Sequence, residues 1–390
     1  MSCQSAIPEP LPSHHVPDPG VFFGYKFQNP WSTFPGVPAL GEVLKWQRAR
    51  RKAGINPDGY LTGNNKPTSE DFKRAFPLNP VDWAALAAPP PDTVQAVWVG
   101  HATVLVQMGG FTFITDPVFS ERCAPVQFAG PKRVVAPALT GEEPQMPALD
   151  FVLLSHNHYD HLDTGSVRTL QRRYGKGLTW YVPLGLRSWF ASEGVTNVVE
   201  LDWWQSVTHA GNTSNKSVVI TMVPAQHWTA RGVLDRCRTL WGGYVVEAPQ
   251  PAAPAAGADT TPAPAAAGGE STAAAPAPAA APASAPAPPR PLRFYFVGDT
   301  GYCPVFTEIG KRFAPIDLAA VPIGAYDPRW FMKPQHVDAE EGLQVAVDVG
   351  ALVSFGIHTA TWALTDEPLD EPPTRCGGRG PCVCVRGGKA

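Results

Sequence analysis

The feature that most constrains the fold and chemistry of this chain is a strand-like run that is followed at once by clustered histidines and carboxylates. Residues 151–154 are all apolar, as in a strand buried on both faces, and Ser-His-Asn-His-Tyr-Asp-His-Leu-Asp follows. In an extended segment His156 and His158 point to the same side and can share one metal ion, whereas Asp160 and His161 follow at the turn and can reach a second. Imidazole and carboxylate suit zinc, iron or manganese, and two such ions form a hydrolytic site.

Composition excludes several classes of protein. The net charge is −3 and no long basic run is present, so we expect no nucleic-acid partner. Seven scattered cysteines fit reduced thiols better than a disulfide framework. The beginning lacks the charged and apolar regions of a secretory signal, and no apolar stretch reaches the length of a membrane span. We therefore expect an intracellular protein, not secreted, that is cytoplasmic or peripheral on internal membranes.

The first 92 residues divide into a leader and an arm. Residues 1–20 are rich in Pro, Ser and His without periodicity, which predicts a disordered leader. Within it His14 and His15 are expected to be solvated, with metal ligation as the alternative. Residues 21–92 form an arm and a loop-rich lead-in.

The arm contains apolar residues at helical spacing followed by cations. This pattern is typical of an amphipathic segment at a membrane surface, and the alternative is a cover packed on the core. The apolar residues are Leu40, Val43, Leu44 and Trp46, and the cations are Arg48, Arg50, Arg51 and Lys52.

Residues 93–373 carry the pattern of one α/β domain. Three short strands at 94–99, 103–108 and 111–115 precede alternating strands and helices, which predicts βαβ units with antiparallel strands mixed in. The Ala/Pro-rich stretch 248–291 interrupts this domain as a disordered insert. Because it lies between two strand-like runs, we interpret it as an enlarged hairpin tip. A Gly/Cys/Arg tail occupies 374–390.

Further ligand-type residues follow other strand-like runs. His227 comes after 221–224, Asp299 after 294–297, and His358 after 352–357. Because open α/β folds keep their sites at one edge of the sheet, we expect these side chains to join the first cluster.

The ligand pattern resembles that of the metallo-β-lactamase superfamily. The motif is His156-x-His158-x-Asp160-His161, followed by His227, Asp299 and His358. Longer stretches over about residues 21–373, apart from the insert, are similar to the family of N-acylphosphatidylethanolamine-hydrolysing phospholipases D. They include FQNPW at 27–31, GHATV at 100–104, TDPVF at 115–119, ELDWW at 200–204, GDTGYCP at 298–304 and PRWFM at 328–332.

This resemblance implies a fold, a cofactor and a reaction. The fold is a metallo-β-lactamase-like αββα sandwich of two mixed β-sheets flanked by helices. One Zn²⁺ would be held by His156, His158 and His227 and a second by Asp160, His161 and His358, with Asp299 bridging them. The implied enzyme is a phospholipase D that acts on a phospholipid at a membrane surface, and the chain is a candidate for a homodimer. Asp160 and Asp299 act in catalysis, and a hydroxide shared by the metals converts N-acylphosphatidylethanolamine to N-acylethanolamine and phosphatidic acid.

Four other residues have two interpretations each. His336 and Gln335 either face the substrate or belong to a loop before a helix capped by Asp338. His101 either supports a metal ligand or forms a turn. Asp163 either accepts a hydrogen bond from a ligand histidine or caps the helix near 164.

The chain departs from the family at two places. Thr359-Ala360-Thr361-Trp362 replaces a family Trp-Gly-Thr-Phe, and no closing strand is expected after 373. A missing closing strand would expose a sheet edge and weaken the core. One alternative is another hydrolase of this fold, such as a lactonase or phosphodiesterase. The other is a catalytically silent lipid-binding relative, which the altered C-terminus and the basic aromatic arm suggest.

Overall fold

A computed structural model describes most of the chain. The described residues are 12–18, 20, 24–55, 70, 79–211, 216–232, 234–250 and 290–376, together with the backbone of 383–385. Most of the leader, of the lead-in, of the Ala/Pro insert and of the tail lies outside these residues.

The first sheet begins with a meander and continues with parallel strands. Its first three strands pair antiparallel in chain order, and the next three pair in parallel. In chain order the strands are β3 (Val94–Gly100), β4 (Thr103–Met108), β5 (Phe111–Thr115), β6 (Phe151–Leu153), β7 (Thr179–Pro183) and β8 (Val198–Leu201).

The second sheet is also mixed. Its strands are β9 (Ser206–Ala210), β10 (Ser217–Val223), β11 (Gly243–Ala248), β12 (Leu292–Phe296), β13 (Ile316–Pro322), β14 (Ala351–Ile357) and β15 (Val383–Val385). Their order in the sheet is β15-β14-β13-β12-β11-β10-β9, with parallel pairs only at β12-β13 and β13-β14 among the described strands.

Helices cover the outer faces of both sheets. In addition, β1 (His15–Pro17) and β2 (Tyr25–Phe27) form a short two-stranded antiparallel sheet. The described helices do not include one long and apolar enough to cross a membrane. They are α1 (Leu40–Lys52), α2 (Trp83–Ala87), α3 (Thr164–Tyr174), α4 (Arg187–Ser192), α5 (Val305–Phe313), α6 (Arg329–Met332), α7 (Ala339–Asp348) and α8 (Glu371–Arg375).

Burial on both faces of the strands produces the layers. Every residue of β4 is buried: Val104 and Val106 pack between the sheets, whereas Leu105 packs outward with Val167 and Leu170. In the other sheet Tyr244 and Val246 face inward, and Val245 contacts the cluster beneath α5 and α7. The alternating directions along each strand thus create three apolar layers, which is the predicted αββα sandwich.

The predicted leader is wrong for residues 12–18. His15–Pro17 pairs with β2, and both His14 and His15 are buried instead of solvated. The physical reason is a distant acceptor, because both imidazoles contact the carboxylate of Asp202. A local reading of the sequence cannot include that partner.

The expected loss of the closing strand is also wrong. Val383–Val385 pairs antiparallel with β14, next to Val353 and Phe355. Alternating Val-Cys-Val suits an edge strand, although glycines and arginines on both sides hide this short signal. The β14 edge is therefore paired along these residues.

The Ala/Pro insert joins two adjacent strands. Ala248 of β11 pairs with Leu292 of β12 in an antiparallel ladder, as expected for an enlarged hairpin tip. Residues 251–289 themselves lie outside the described part of the chain.

Replacing 251–289 by about ten Gly/Ser residues should preserve the fold and raise the free energy of unfolding by about 1 kcal/mol, because closing the shorter loop costs less chain entropy. Urea unfolding monitored by circular dichroism measures this change. A matched loop of the original length but Gly/Ser composition controls for composition. Loss of cooperative unfolding in the shortened protein would contradict the hairpin-tip interpretation.

Candidate metal centre

The ends of four strands deliver titratable side chains to one edge of the sandwich. The segment after β6 carries the His156–His161 cluster. His227 follows β10, Asp299 follows β12 and His358 follows β14. The first strand belongs to one sheet and the other three to the second, so the cluster forms where both sheets end.

Three imidazoles form the first group. His158 Nδ1 lies 2.9 Å from His156 Nε2 and 3.2 Å from His227 Nε2. The main-chain oxygen of Gln335 is 3.0 Å from His227 Nδ1, which directs the other ring nitrogen of His227 toward the cluster. Nitrogen ligands this close to one another can bind one cation between them.

A second group surrounds Asp160. Its Oδ2 lies 2.9 Å from His101 Nε2 and 3.4 Å from Nε2 of both His161 and His358. Except for Asp160, whose side chain is 15% exposed, these side chains are almost fully buried. This group therefore combines an accessible carboxylate with buried imidazoles.

Asp299 connects the two groups. Its Oδ2 lies 3.0 Å from His358 Nε2 and 3.2 Å from His161 Nε2 on one side. On the other side it lies 3.7 Å from His227 Nε2 and 3.8 Å from His156 Nε2. A single carboxylate between two ligand groups is the arrangement needed to bridge two metal ions.

The unpaired atoms of this cluster fit metal ions. His161 Nε2 and His358 Nε2, which both lie beside the Asp160 and Asp299 carboxylates, are buried without a well-aligned hydrogen bond among the described residues. Leaving such groups without partners in a protein interior costs free energy. Bound cations would satisfy them, and imidazole with carboxylate is a donor set that zinc accepts.

Electrostatics favour the same interpretation. Burial lowers the pKa of His156 and His227 well below the ordinary value, which keeps both imidazoles in the neutral form that binds metals. Burial also opposes protonation of His358, but the neighbouring Asp299 and Asp160 carboxylates outweigh it and raise the His358 pKa to about 9. In the absence of a metal ion, the buried carboxylates thus favour a proton on the His358 imidazole, where a cation would otherwise balance their charge.

Asp116 supports the cluster and was missed as a functional residue. Its Oδ2 lies 2.6 Å from His161 Nδ1 and 2.5 Å from the hydroxyl of Ser155, whose amide donates to Oδ1 at 2.7 Å. A fully buried carboxylate behind a ligand imidazole fixes the ring's orientation and tautomer. The available signal was its position directly after the buried strand β5.

The structure places the four residues with two interpretations each at different distances from the cluster. His101 Nε2 lies 2.9 Å from Asp160 Oδ2 and its ring centroid is 4.0 Å from that of His358, which places this residue beside the cluster. His336 Nδ1 is 3.9 Å from Asp299 Oδ2. The Gln335 side chain bonds to Trp228 Nε1. The alternative role of Asp163 behind a ligand histidine is wrong, because its carboxylate caps α3 through Gly165 N and Ser166 N.

A cavity of about 270 Å³ opens over the cluster. Its floor includes His158, Asp160, Asp299 and His336, and its walls are largely apolar. The apolar wall residues include Val43, Trp46, Phe331, Met332 and Leu364. Polar groups at one end and apolar side chains along the walls suit an amphipathic ligand.

Asp116→Asn should weaken metal binding by about ten- to one-hundredfold, because the amide cannot balance charge behind His161 as the carboxylate does. Competition with a zinc chelator measures the affinity, and circular dichroism checks the fold. Asp317→Asn is the matched control, since Asp317 is a partly buried carboxylate that pairs with Arg290 and is not part of the cluster. Equal affinities in Asp116→Asn and the parent would exclude this supporting role.

Known proteins share this sequence pattern. The model of the "Beta-lactamase superfamily domain" matches residues 112–277 and 289–359. N-acyl-phosphatidylethanolamine-hydrolyzing phospholipase D 1 of Caenorhabditis elegans is 38% identical over 90% of this chain and 85% of its own length. The mitochondrial enzyme of that name from Saccharomyces cerevisiae is 29% identical over 76% of this chain and 55% of its own length.

A solved structure of a metallo hydrolase from the archaeon Ignicoccus hospitalis is also similar. It is 16% identical, the match covers 68% of this chain and 82% of that chain, and the TM-score is 0.43.

The superfamily model covers more than half of the chain, and the nematode relative is similar over nearly its whole length. The chain therefore belongs to the β-lactamase superfamily and, within it, to the N-acyl-phosphatidylethanolamine-hydrolysing phospholipases D, a family of metal-dependent phosphodiesterases.

Proposed function

We propose that this protein is a zinc-dependent phospholipase D that hydrolyses N-acylphosphatidylethanolamine at a membrane surface. The observation that carries the proposal is the Asp299 carboxylate lying between two groups of ligand-type side chains at the floor of a largely apolar cavity. Phosphodiester chemistry needs the polar floor, and a substrate with acyl chains needs the apolar walls.

The proposed ligand sets are those given by the family motif. His156, His158 and His227 would hold one zinc ion and Asp160, His161 and His358 the other, with Asp299 available to both. When bound, two such ions lower the pKa of a water molecule toward 7 and balance the charge that develops on the phosphodiester.

The chain's own residues orient the reacting groups. His101 keeps the Asp160 carboxylate directed at the centre through the 2.9 Å contact. Asp299 Oδ1 is available to accept a hydrogen bond from the attacking water, and His336 is close enough to the floor to contact a phosphoryl oxygen. The water oxygen bonds to phosphorus while the bond from phosphorus to the ethanolamide oxygen breaks. N-acylethanolamine then leaves with a proton, and phosphatidic acid remains.

The amphipathic helix α1 lies at the edge of the cavity. Trp46 Nε1 donates to Asp366 Oδ2 at 2.9 Å, Arg50 Nε lies 2.8 Å from Oδ1, and the Trp46 ring stacks on Phe331. These contacts make α1 part of the cavity wall, as in the predicted cover. Leu40 and Leu44 on the same helix remain exposed by 69% and 45%.

Both predicted roles of the arm can therefore coexist on one helix. Trp46 faces the cavity, whereas Leu40 and Leu44, with the basic last turn of α1, are available to a lipid surface. We infer a peripheral enzyme on internal membranes of the cell. The paired β14 edge supports an intact core and so favours an active enzyme over a catalytically silent relative.

The zinc-loaded protein should release N-acylethanolamine from vesicles containing N-acylphosphatidylethanolamine. Asp299→Asn should lower this rate by about 10²-fold or more, because the charge balance at the reacting centre is lost. Mass spectrometry of both products measures turnover. Asp317→Asn is the control, and a lactone and a soluble phosphodiester complete the substrate panel. Turnover of these two compounds without release of N-acylethanolamine would identify a different hydrolase.

Leu40→Ser combined with Leu44→Ser should weaken binding to vesicles by at least about tenfold, since apolar area that enters the lipid surface is lost. Flotation with vesicles measures the binding. Val347→Ser on α7, where Val347 is 51% exposed, is the matched control. Turnover of a short-chain, water-soluble substrate should stay unchanged. Unaltered flotation of the double variant would assign these leucines to another surface.

A further inference from the structure

A second cluster of ligand-type side chains lies outside the candidate metal centre. His14 Nε2 is 2.7 Å from Asp202 Oδ1, and His15 Nε2 is 2.9 Å from Asp202 Oδ2. The three residues are 7 to 9% exposed. Two imidazoles and one carboxylate with their ligand atoms this close form the donor set of many zinc sites.

Aromatic rings hold these side chains in place. Trp203 stacks on His14 with ring centroids 4.3 Å apart, and Tyr25 stacks on His15 at the same separation. The main-chain N–H of Trp203 also donates to Asp202 Oδ1 at 2.7 Å. The donor atoms are thus oriented by their surroundings, as the ligands of a metal site usually are.

The His15 imidazole is incompletely satisfied. Its Nδ1 is buried without a hydrogen bond to any described residue, and its Nε2 lies 2.9 Å from Asp202 Oδ2 in a contact that is poorly aligned for a hydrogen bond. Burial opposes ionisation of Asp202, but the neighbouring imidazoles of His14 and His15 outweigh it and lower the Asp202 pKa. The carboxylate is therefore in its ligand form, next to a buried imidazole with an unsatisfied ring nitrogen.

We propose that His14, His15 and Asp202 bind a divalent transition-metal ion such as zinc, separate from the candidate metal centre, and that this ion fixes the N-terminal arm to the core. Three protein ligands leave one position of a tetrahedral ion for water.

The attached arm reaches the loop that carries His227. Gln28 N donates to His14 O at 2.9 Å, and Phe27 N donates to Cys237 O at 2.8 Å. Asn29 Nδ2 then donates to the main-chain oxygen of His227 at 2.8 Å. An ion at His14 and His15 would therefore order the segment that supports one ligand of the centre.

Metal analysis of the full-length protein tests this proposal. After loading with zinc and desalting, the parent should hold about one more ion per chain than His15→Gln, because glutamine preserves a hydrogen-bond donor but is a poor zinc ligand. His209→Gln is the matched control, since His209 is a half-buried histidine bonded to Tyr181. Circular dichroism checks that each variant is folded.

A second variant, in which the candidate metal centre is disrupted, provides a test that depends neither on the folding of His15→Gln nor on the proposed function. A variant with His158→Ala and His358→Ala disrupts the centre but should retain about one zinc ion, with cobalt giving the absorption of a tetrahedral site. A chelator should remove this ion and lower the melting temperature. Equal zinc in the parent and folded His15→Gln, or no zinc in the second variant, would overturn the proposal. If only the proposed function failed, the parent would show no turnover of N-acylphosphatidylethanolamine, but the zinc ion at His14, His15 and Asp202 would still be bound.

Discussion

The Asp299 carboxylate is the group around which the charges of this molecule are arranged. Its Oδ2 lies between 3.0 and 3.8 Å from imidazole nitrogens that come from three different loops. So many titratable groups can share a water-poor site only if cations or protons balance them. The three apolar layers supply the free energy that holds this costly cluster together, and the two sheets must end at the same edge for it to form.

Local patterns of the sequence predicted the first strands and most of the cluster, whereas the αββα layers were implied by the family resemblance. All six residues of β4 are buried and the meander was predicted close to its bounds, because two-sided burial and a Gly-Gly turn are local signals. His227, Asp299 and His358 could be placed because each follows an apolar run. Asp116 was missed because its partners, Ser155 and His161, are distant in sequence.

The remaining errors have the same physical origin. His14 and His15 look like residues of a solvated tail until Asp202 is placed beside them, and that contact is long-range. The short β15 strand acquires its order from pairing with β14 instead of from its own composition. Segments that are stabilised mainly by distant contacts are therefore those for which a single sequence is least informative.

The insert joins β11 and β12 at the end that lies opposite to the candidate metal centre. Asp299 follows the end of β12, whereas the insert leaves from Ala248 and returns at Leu292, at the opposite end of the same ladder. The β4–β5 turn lies at that end too, since a Cβ on Gly109 would meet Ala248. A fluorescent protein or an affinity tag inserted there would lie on the far side of the sandwich, and the cavity over the cluster would remain open.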